Sequence, residues 1–98
     1  MSYKIQLLSK ARLELLEAWI CYEDRQPGLG ERFKEEVFKG IHLIEQYPER
    51  YPLRKKPYYE KSIKVFPYLA IYRINKTTKT ISIISIFHAK TNPSEKYK

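Results

Sequence analysis

The run Thr80-Ile81-Ser82-Ile83-Ile84-Ser85-Ile86-Phe87-His88 constrains this chain more than any other stretch. It does not alternate in the manner of a strand with one wet face. Ile81, Ile83 and Phe87 fall on one side of such a strand, and Ile84, Ile86 and His88 on the other. A strand that is apolar on both sides belongs in the interior of a sheet, with paired neighbours and cover. A chain of 98 residues with 43% hydrophobic content can close one core around such a strand and is too short for two ordinary domains. The expectation is one domain over residues 1–98.

The rest of the chain supplies what that strand needs. Tyr3-Lys4-Ile5-Gln6-Leu7-Leu8 alternates as a short first strand, and Ser9 stands where a helix N-cap is expected. The period then becomes helical. Ala11, Leu15, Ala18, Trp19 and Tyr22 form one stripe, and Leu13, Leu16 and Ile20 a second beside it. A helix that is apolar over more than one face needs cover from its sheet and also from a neighbouring helix or another chain. Pro27, Gly28 and Gly30 mark a turn, after which Leu29, Phe33, Val37, Ile41 and Ile44 recur at helical spacing. Gly40 interrupts this second helix at a cost of about 1 kcal/mol against Ala, which points to close approach of another backbone. His42, between Ile41 and Leu43, reads as structural.

Pro48 ends the helical hairpin, and Tyr47-Pro48-Glu49-Arg50-Tyr51-Pro52 is too rich in proline for a helix or a central strand. From Leu53 the pattern belongs to β structure. Ser62-Ile63-Lys64-Val65-Phe66 alternates, Pro67 interrupts, and Leu69 to Ile74 resumes before the polar turn Asn75-Lys76-Thr77-Thr78-Lys79. The expected fold class is α+β: a short N-terminal strand and a two-helix antiparallel hairpin packed on one face of a sheet, with a partly covered groove on the other face. The tail, residues 91–98, lacks a core pattern and is expected to be loosely held.

Charge divides along the same boundary. Residues 1–48 carry 7 Lys and Arg against 8 Asp and Glu, whereas residues 49–98 carry 12 against 3, so the net charge of +8 resides in the β half. A field of this sign favours an anionic partner, and its pull weakens with salt. No run approaches the length of a membrane span, and no signal-peptide block opens the chain, so a soluble cytoplasmic protein without membrane contact is expected. Cys21 is the single cysteine, which rules out an intrachain disulfide, and it reads as a half-buried helical thiol.

Enzyme signatures are few. All three glycines lie in the helical half, away from any phosphate-cradling loop, and one cysteine with two distant histidines forms no metal-ligand set. Neither a metal nor a cofactor is expected. The chemistry left open is phosphodiester cleavage, with Lys and Arg stabilising the transition state while a His or Tyr moves a proton. Arg54, Lys64, Arg73, His88 and Lys90 are the candidates, and sheet pairing would bring Arg73 and His88 together. Each has a bland reading too: a solvated lysine, or a hydrogen-bonded histidine at the edge of the core. Among nine tyrosines, Tyr68 and Tyr72 are placed to meet a partner, while Tyr47, Tyr51, Tyr58 and Tyr59 read as packing.

Several pieces carry a resemblance in their order and spacing. They are Ala11 and Leu15 to Tyr22, Gly28-Leu29 with Arg32-Phe33, Ile44 to Pro48, Phe66-Pro67-Tyr68 with Ile71-Tyr72-Arg73-Ile74, and Ile86-Phe87-His88-Ala89-Lys90 with Asn92-Pro93. Together they resemble the RelE/ParE superfamily of toxins from type II toxin-antitoxin systems, the ParE-like branch above all, over nearly the whole chain. The resemblance implies a growth-inhibiting toxin of the plasmid-stabilization kind, wrapped by a cognate antitoxin in a hetero-oligomer. Leu13, Leu16 and Ile20 are then the antitoxin-binding stripe. The ParE-like branch implies DNA gyrase as the target; the RelE-like branch implies the ribosome and mRNA, with the toxin acting as a metal-independent mRNA interferase. In the latter, Arg73 would meet the scissile phosphate and His88 transfer the proton late. Arg54, Lys64, Lys90 and Tyr72 would line the target surface. The chain departs from the nuclease pattern in having no acid placed beside the sheet, since Glu60 precedes the expected strand and Glu95 lies in the tail. That favours gyrase and leaves open whether the chain is an enzyme. The third reading is a non-toxic or degenerate basic binding module on the same scaffold.

Overall fold

The computed structural model of the chain describes residues 3–90 and 96–97. Its elements run β1 (Lys4–Leu7), α1 (Ser9–Arg25), α2 (Leu29–Gln46), β2 (Leu53–Lys55), β3 (Tyr58–Ser62), β4 (Tyr68–Asn75) and β5 (Thr80–His88). The strands form one five-stranded sheet in the order β1-β5-β4-β3-β2. Among the described residues only the β1–β5 pairing is parallel. β5 is an interior strand, as its two apolar faces demand, and both helices pack on one side of the sheet. Among the described residues no helix is long and apolar enough to cross a membrane.

The hairpin is closed by polar contacts at its turn. Gly28 takes the left-handed conformation, φ 90°, that a residue without Cβ tolerates. It has no side chain to cap α2, and Glu23, in the last turns of α1, supplies the missing acceptor. The Glu23 carboxylate accepts from the N–H of Gly28 at 3.1 Å and of Gly30 at 2.8 Å, placing negative charge at the positive end of the α2 dipole. Trp19 Nε1 donates to Glu31 across the two helices at 2.9 Å. The close backbone approach expected at Gly40 occurs at Gly30 instead. A Cβ on Gly30 would lie 2.5 Å from the Trp19 carbonyl oxygen, whereas one on Gly40 would meet side chains alone, Ile63 at 3.2 Å and Lys61 at 3.8 Å. Ser9 proves to be the first residue of α1 rather than its cap; the N-cap position is Leu8, and no side chain caps the helix. Cys21 and His42 both face outward, correcting the half-buried and structural expectations, because the helical stripes that meet the core pass beside them.

In the β half, the alternating stretch 62–66 is not a strand beyond Ser62, where β3 ends. Ile63 and Phe66 both reach the core from a loop, and Val65, at φ 77°, turns the chain between them. The strand lies earlier, at β3, where polar residues dominate, and it pairs with the short edge strand β2 across a turn holding a cis Lys56–Pro57 bond. Along β5 a bulge alters the expected faces. Tyr72 pairs with Ile83 but Ile71 pairs with Ser85, so Ile84 is the extra residue and the alternation shifts phase there. Ile81, Ile83 and Ile86 therefore all join the helix-side core, together with Ala70 and Tyr72.

That core has an aromatic end. Phe33 packs edge-on to Phe66 and Tyr68 with centroids 5.2 and 4.9 Å away, and Tyr22 meets both Phe33 and Phe66. β5 runs on past the end of β1, and the exposed half of its edge is closed from α1. Glu14 accepts from Ser85 Oγ at 2.6 Å and from the Ile86 N–H at 3.1 Å, occupying a backbone donor that would otherwise invite another strand.

Candidate functional site

Alternation along β4 assigns the two sides of the sheet. Ala70, Tyr72 and Ile74 point to the helices, so Leu69, Ile71 and Arg73 point to the opposite, open face. Register extends that assignment. Arg73 pairs with Ser82, and Ser82 with Gln6, giving a polar row across β4, β5 and β1 on the open face. This row lines an open groove of about 810 Å³, whose other walls include Lys56, Lys76 and Thr80. Lys76 is partly neutralised there by Glu49 at 2.9 Å.

Glu60 lies on the same open face, because it pairs with Ile71. It belongs to β3 rather than to the segment before a strand, and it is only 6% exposed. Its carboxylate pairs with Lys96 Nζ at 3.1 Å and accepts a hydrogen bond from the Tyr97 hydroxyl. Tyr97 thus sits over the sheet, its ring stacked on Tyr58 at 5.3 Å with Lys55 Nζ 5.5 Å from its centroid. Burial, then the bond to Glu60 and its negative charge, push the Tyr97 hydroxyl up to about 12. Glu60 and Arg73 are diagonal neighbours on adjacent strands, since Arg73 stands two residues beyond the Glu60 partner Ile71.

Arg73 and His88 are not brought together. His88 pairs with Tyr68, whose ring packs in the helix-side aromatic cluster, and the imidazole meets that ring edge-on at 4.8 Å. Its Nδ1 accepts from the Lys90 N–H at 3.1 Å, which places the ring proton of the neutral form on Nε2. Arg73 faces the other side of the sheet, six residues away along β5, or roughly 20 Å. Tyr72 is unavailable to any partner: it is fully buried, stacked on Tyr59, and its hydroxyl donates to the Pro48 carbonyl at 2.6 Å. A tyrosine beside Arg73 in a basic half reads as exposed in sequence, but here it faces the helices and seals the hairpin's exit.

The remaining candidates lie apart. Arg54 is exposed on the edge strand β2; Lys64 is exposed in the loop after β3; Lys90 is exposed past the end of β5. Of the two kinds of cover that the second α1 stripe could have, the neighbouring helix does not supply it: Leu13, Leu16 and Ile20 are exposed by 56%, 50% and 45%. Sequence reasoning missed Glu60 and Tyr97 as partners. The only available signal was that Glu60 is one of just three acids in a half that carries twelve lysines and arginines. Among the described residues no group of three or more His, Cys, Asp or Glu side chains is gathered to hold a metal.

Over residues 3–93 the chain matches the family of ParE toxins of type II toxin-antitoxin systems. The chain belongs to that family. Solved structures agree in fold. The ParDE toxin-antitoxin system of Pseudomonas aeruginosa superposes with a TM-score of 0.78 at 15% identity, covering 90% of this chain and 97% of that one. A free-state mutant of the Escherichia coli toxin RelE gives 0.69 at 19% identity, over 99% and 94% of the two chains. A toxin-antitoxin complex from Mycobacterium tuberculosis gives 0.60 at 21% identity, over 90% and 99%. No curated protein matches the chain. At these identities the structures establish the ParE/RelE fold, while the family match makes this chain a toxin of that class.

Proposed function

We propose that this ParE family toxin acts on DNA gyrase through protein contacts and is silenced by a cognate antitoxin seated on α1. The observation that carries the reading is the separation of Arg73 and His88 onto opposite faces of the sheet. A phosphodiester-cleaving site needs its cation and its proton carrier within hydrogen-bond reach of one phosphate, and this pair has no such point in common. The target surface in this reading is the open face, where Arg73, Ser82 and Gln6 form the polar row and Arg54 and Lys56 add charge from the β2 edge. The antitoxin surface is the Leu13, Leu16 and Ile20 stripe, an apolar strip on the helix side remote from that face. The relatives from Pseudomonas aeruginosa and Mycobacterium tuberculosis, described with their antitoxins, support such a partner.

A ribosome-dependent nuclease is the second reading. It is favoured by Glu60, which stands on the open face diagonal to Arg73 and supplies the acid that the sequence seemed to lack.

Purified chain added to gyrase and relaxed plasmid decides between the two. The expected result is loss of supercoiling with accumulation of cleaved plasmid, abolished by Arg73→Ala and unaffected by His88→Ala. Intact gyrase activity together with cut mRNA on translating ribosomes would overturn the gyrase reading and establish the second.

A further inference from the structure

We infer that Tyr58, Glu60 and the Arg54–Lys55 edge form a peptide-recognition cradle for a basic residue followed by an aromatic one, occupied in this structure by the chain's own Lys96 and Tyr97. This inference is independent of which target the toxin attacks.

The cradle has three parts, each matched to part of the occupant. Glu60 is a carboxylate only 6% exposed in the middle of a sheet face, an expensive position for a charge unless donors reach it. Both a cation and a hydroxyl do so, from Lys96 at 3.1 Å and from Tyr97. The Tyr97 ring enters a slot. Tyr58 stacks on it with rings inclined by 21°, and Lys55 Nζ approaches it at 5.5 Å. Arg54 lies near enough to lower the Tyr97 hydroxyl's proton affinity, opposing the effect of burial and of Glu60. Two consecutive residues thus make an ion pair, a hydrogen bond, a ring stack and a cation–π contact with a single patch of β2 and β3.

The occupant is also replaceable. Lys96 and Tyr97 are each half-buried, so the pair is held by this patch and not enclosed by the core. When it departs, water reaches Glu60, and no charge is left buried without a partner. Docked and vacant states therefore both satisfy their polar groups, the condition for an exchangeable ligand. A segment tethered in cis acts at an effective concentration of about millimolar, so a free peptide competes against that local excess.

The test is a fluorescently labelled peptide with the sequence of residues 94–98, followed by anisotropy. Against the unaltered chain it competes with the resident pair; against the double variant Lys96→Ala/Tyr97→Ala the cradle is vacant. The double variant is expected to bind it about ten- to a hundredfold more tightly, the factor by which cis occupancy of roughly 90–99% depresses apparent affinity. Adding Glu60→Gln to the vacant variant, or replacing the peptide's tyrosine with alanine, is expected to abolish binding. Equal affinity for the vacant and unaltered chains, or binding that survives Glu60→Gln, would overturn the inference. So would loss of the folded circular dichroism spectrum in the double variant, because a detachable ligand is not part of the folding core.

Discussion

Replacing Gly30 and Gly40 in turn with alanine distinguishes a packing constraint from a propensity cost, because both glycines lie in α2 and both are buried. At Gly30 the added methyl group would sit 2.5 Å from the Trp19 carbonyl oxygen and 2.9 Å from Trp19 Cδ1. That is about 1 Å inside van der Waals contact with a backbone atom, which can move only if α1 and α2 separate. Overpacking of this kind is worth about 2–3 kcal/mol, and separating the helices also strains the Glu23 bonds to Gly28 and Gly30. At Gly40 the nearest atom is the flexible tip of Ile63 at 3.2 Å, which yields by a few tenths of an ångström. The helix propensity of alanine, worth about 1 kcal/mol, then outweighs the adjustment. Gly30→Ala is therefore expected to lose about 2–3 kcal/mol, and Gly40→Ala to be neutral or gain up to about 1 kcal/mol. Equilibrium urea unfolding, followed by circular dichroism and by emission from Trp19, measures both. A shift in midpoint without a change in slope identifies the effect as stability. Gly40→Ala proving as damaging as Gly30→Ala would refute the assignment of the close contact.

Three further expectations follow from single contacts. Glu14→Ala should cost about 2–3 kcal/mol, since Ser85 Oγ and the Ile86 N–H lose a charged acceptor, while Glu14→Gln should cost about 1 kcal/mol; equal losses in urea unfolding would contradict the role of charge. Tyr72→Phe should cost about 1–2 kcal/mol by removing the bond to the Pro48 carbonyl, yet leave target inhibition intact; a selective loss of inhibition would restore Tyr72 to the target surface. Burial raises the Tyr68, Tyr72 and Tyr97 hydroxyls, to about 12 for Tyr68 and Tyr97, against about 10 in an unfolded chain. Their stabilisation is complete below pH 10 and is lost as pH rises from 10 through 12, so absorbance titration at about 295 nm should show a late-ionising group that appears together with unfolding. Simultaneous ionisation of all nine tyrosines near pH 10 would rule this out.

The hairpin was legible in the sequence because helical packing writes itself locally. The stripe of Phe33, Val37, Ile41 and Ile44 is buried as its spacing requires, and Leu13, Leu16 and Ile20 are exposed. The first strand, the β4–β5 hairpin at Asn75 and the interior place of β5 were legible for the same reason. β3 was not. Tyr58 to Ser62 shows no apolar alternation, since its one buried inward position on the open face is Glu60, made tolerable by Lys96 and Tyr97 some 36 residues later. Conversely, Ser62 to Phe66 imitates a strand because a loop residue at positive φ lets Ile63 and Phe66 reach one core from a turn.

What the sequence determined by itself is the class of fold and the basic half, which depend on periodicity and composition, and a resemblance to the family, which the order of short segments carries. What only the tertiary structure decided is which side of the sheet each candidate faces. Arg73 and His88 are separated by a choice between two faces, and Tyr72 is removed from the surface by the same choice. A bulge at Ile84 sets that choice for His88, and a distant tail decides the burial of Glu60. Neither leaves a periodic mark in the chain, because each is fixed by contacts between segments far apart in sequence.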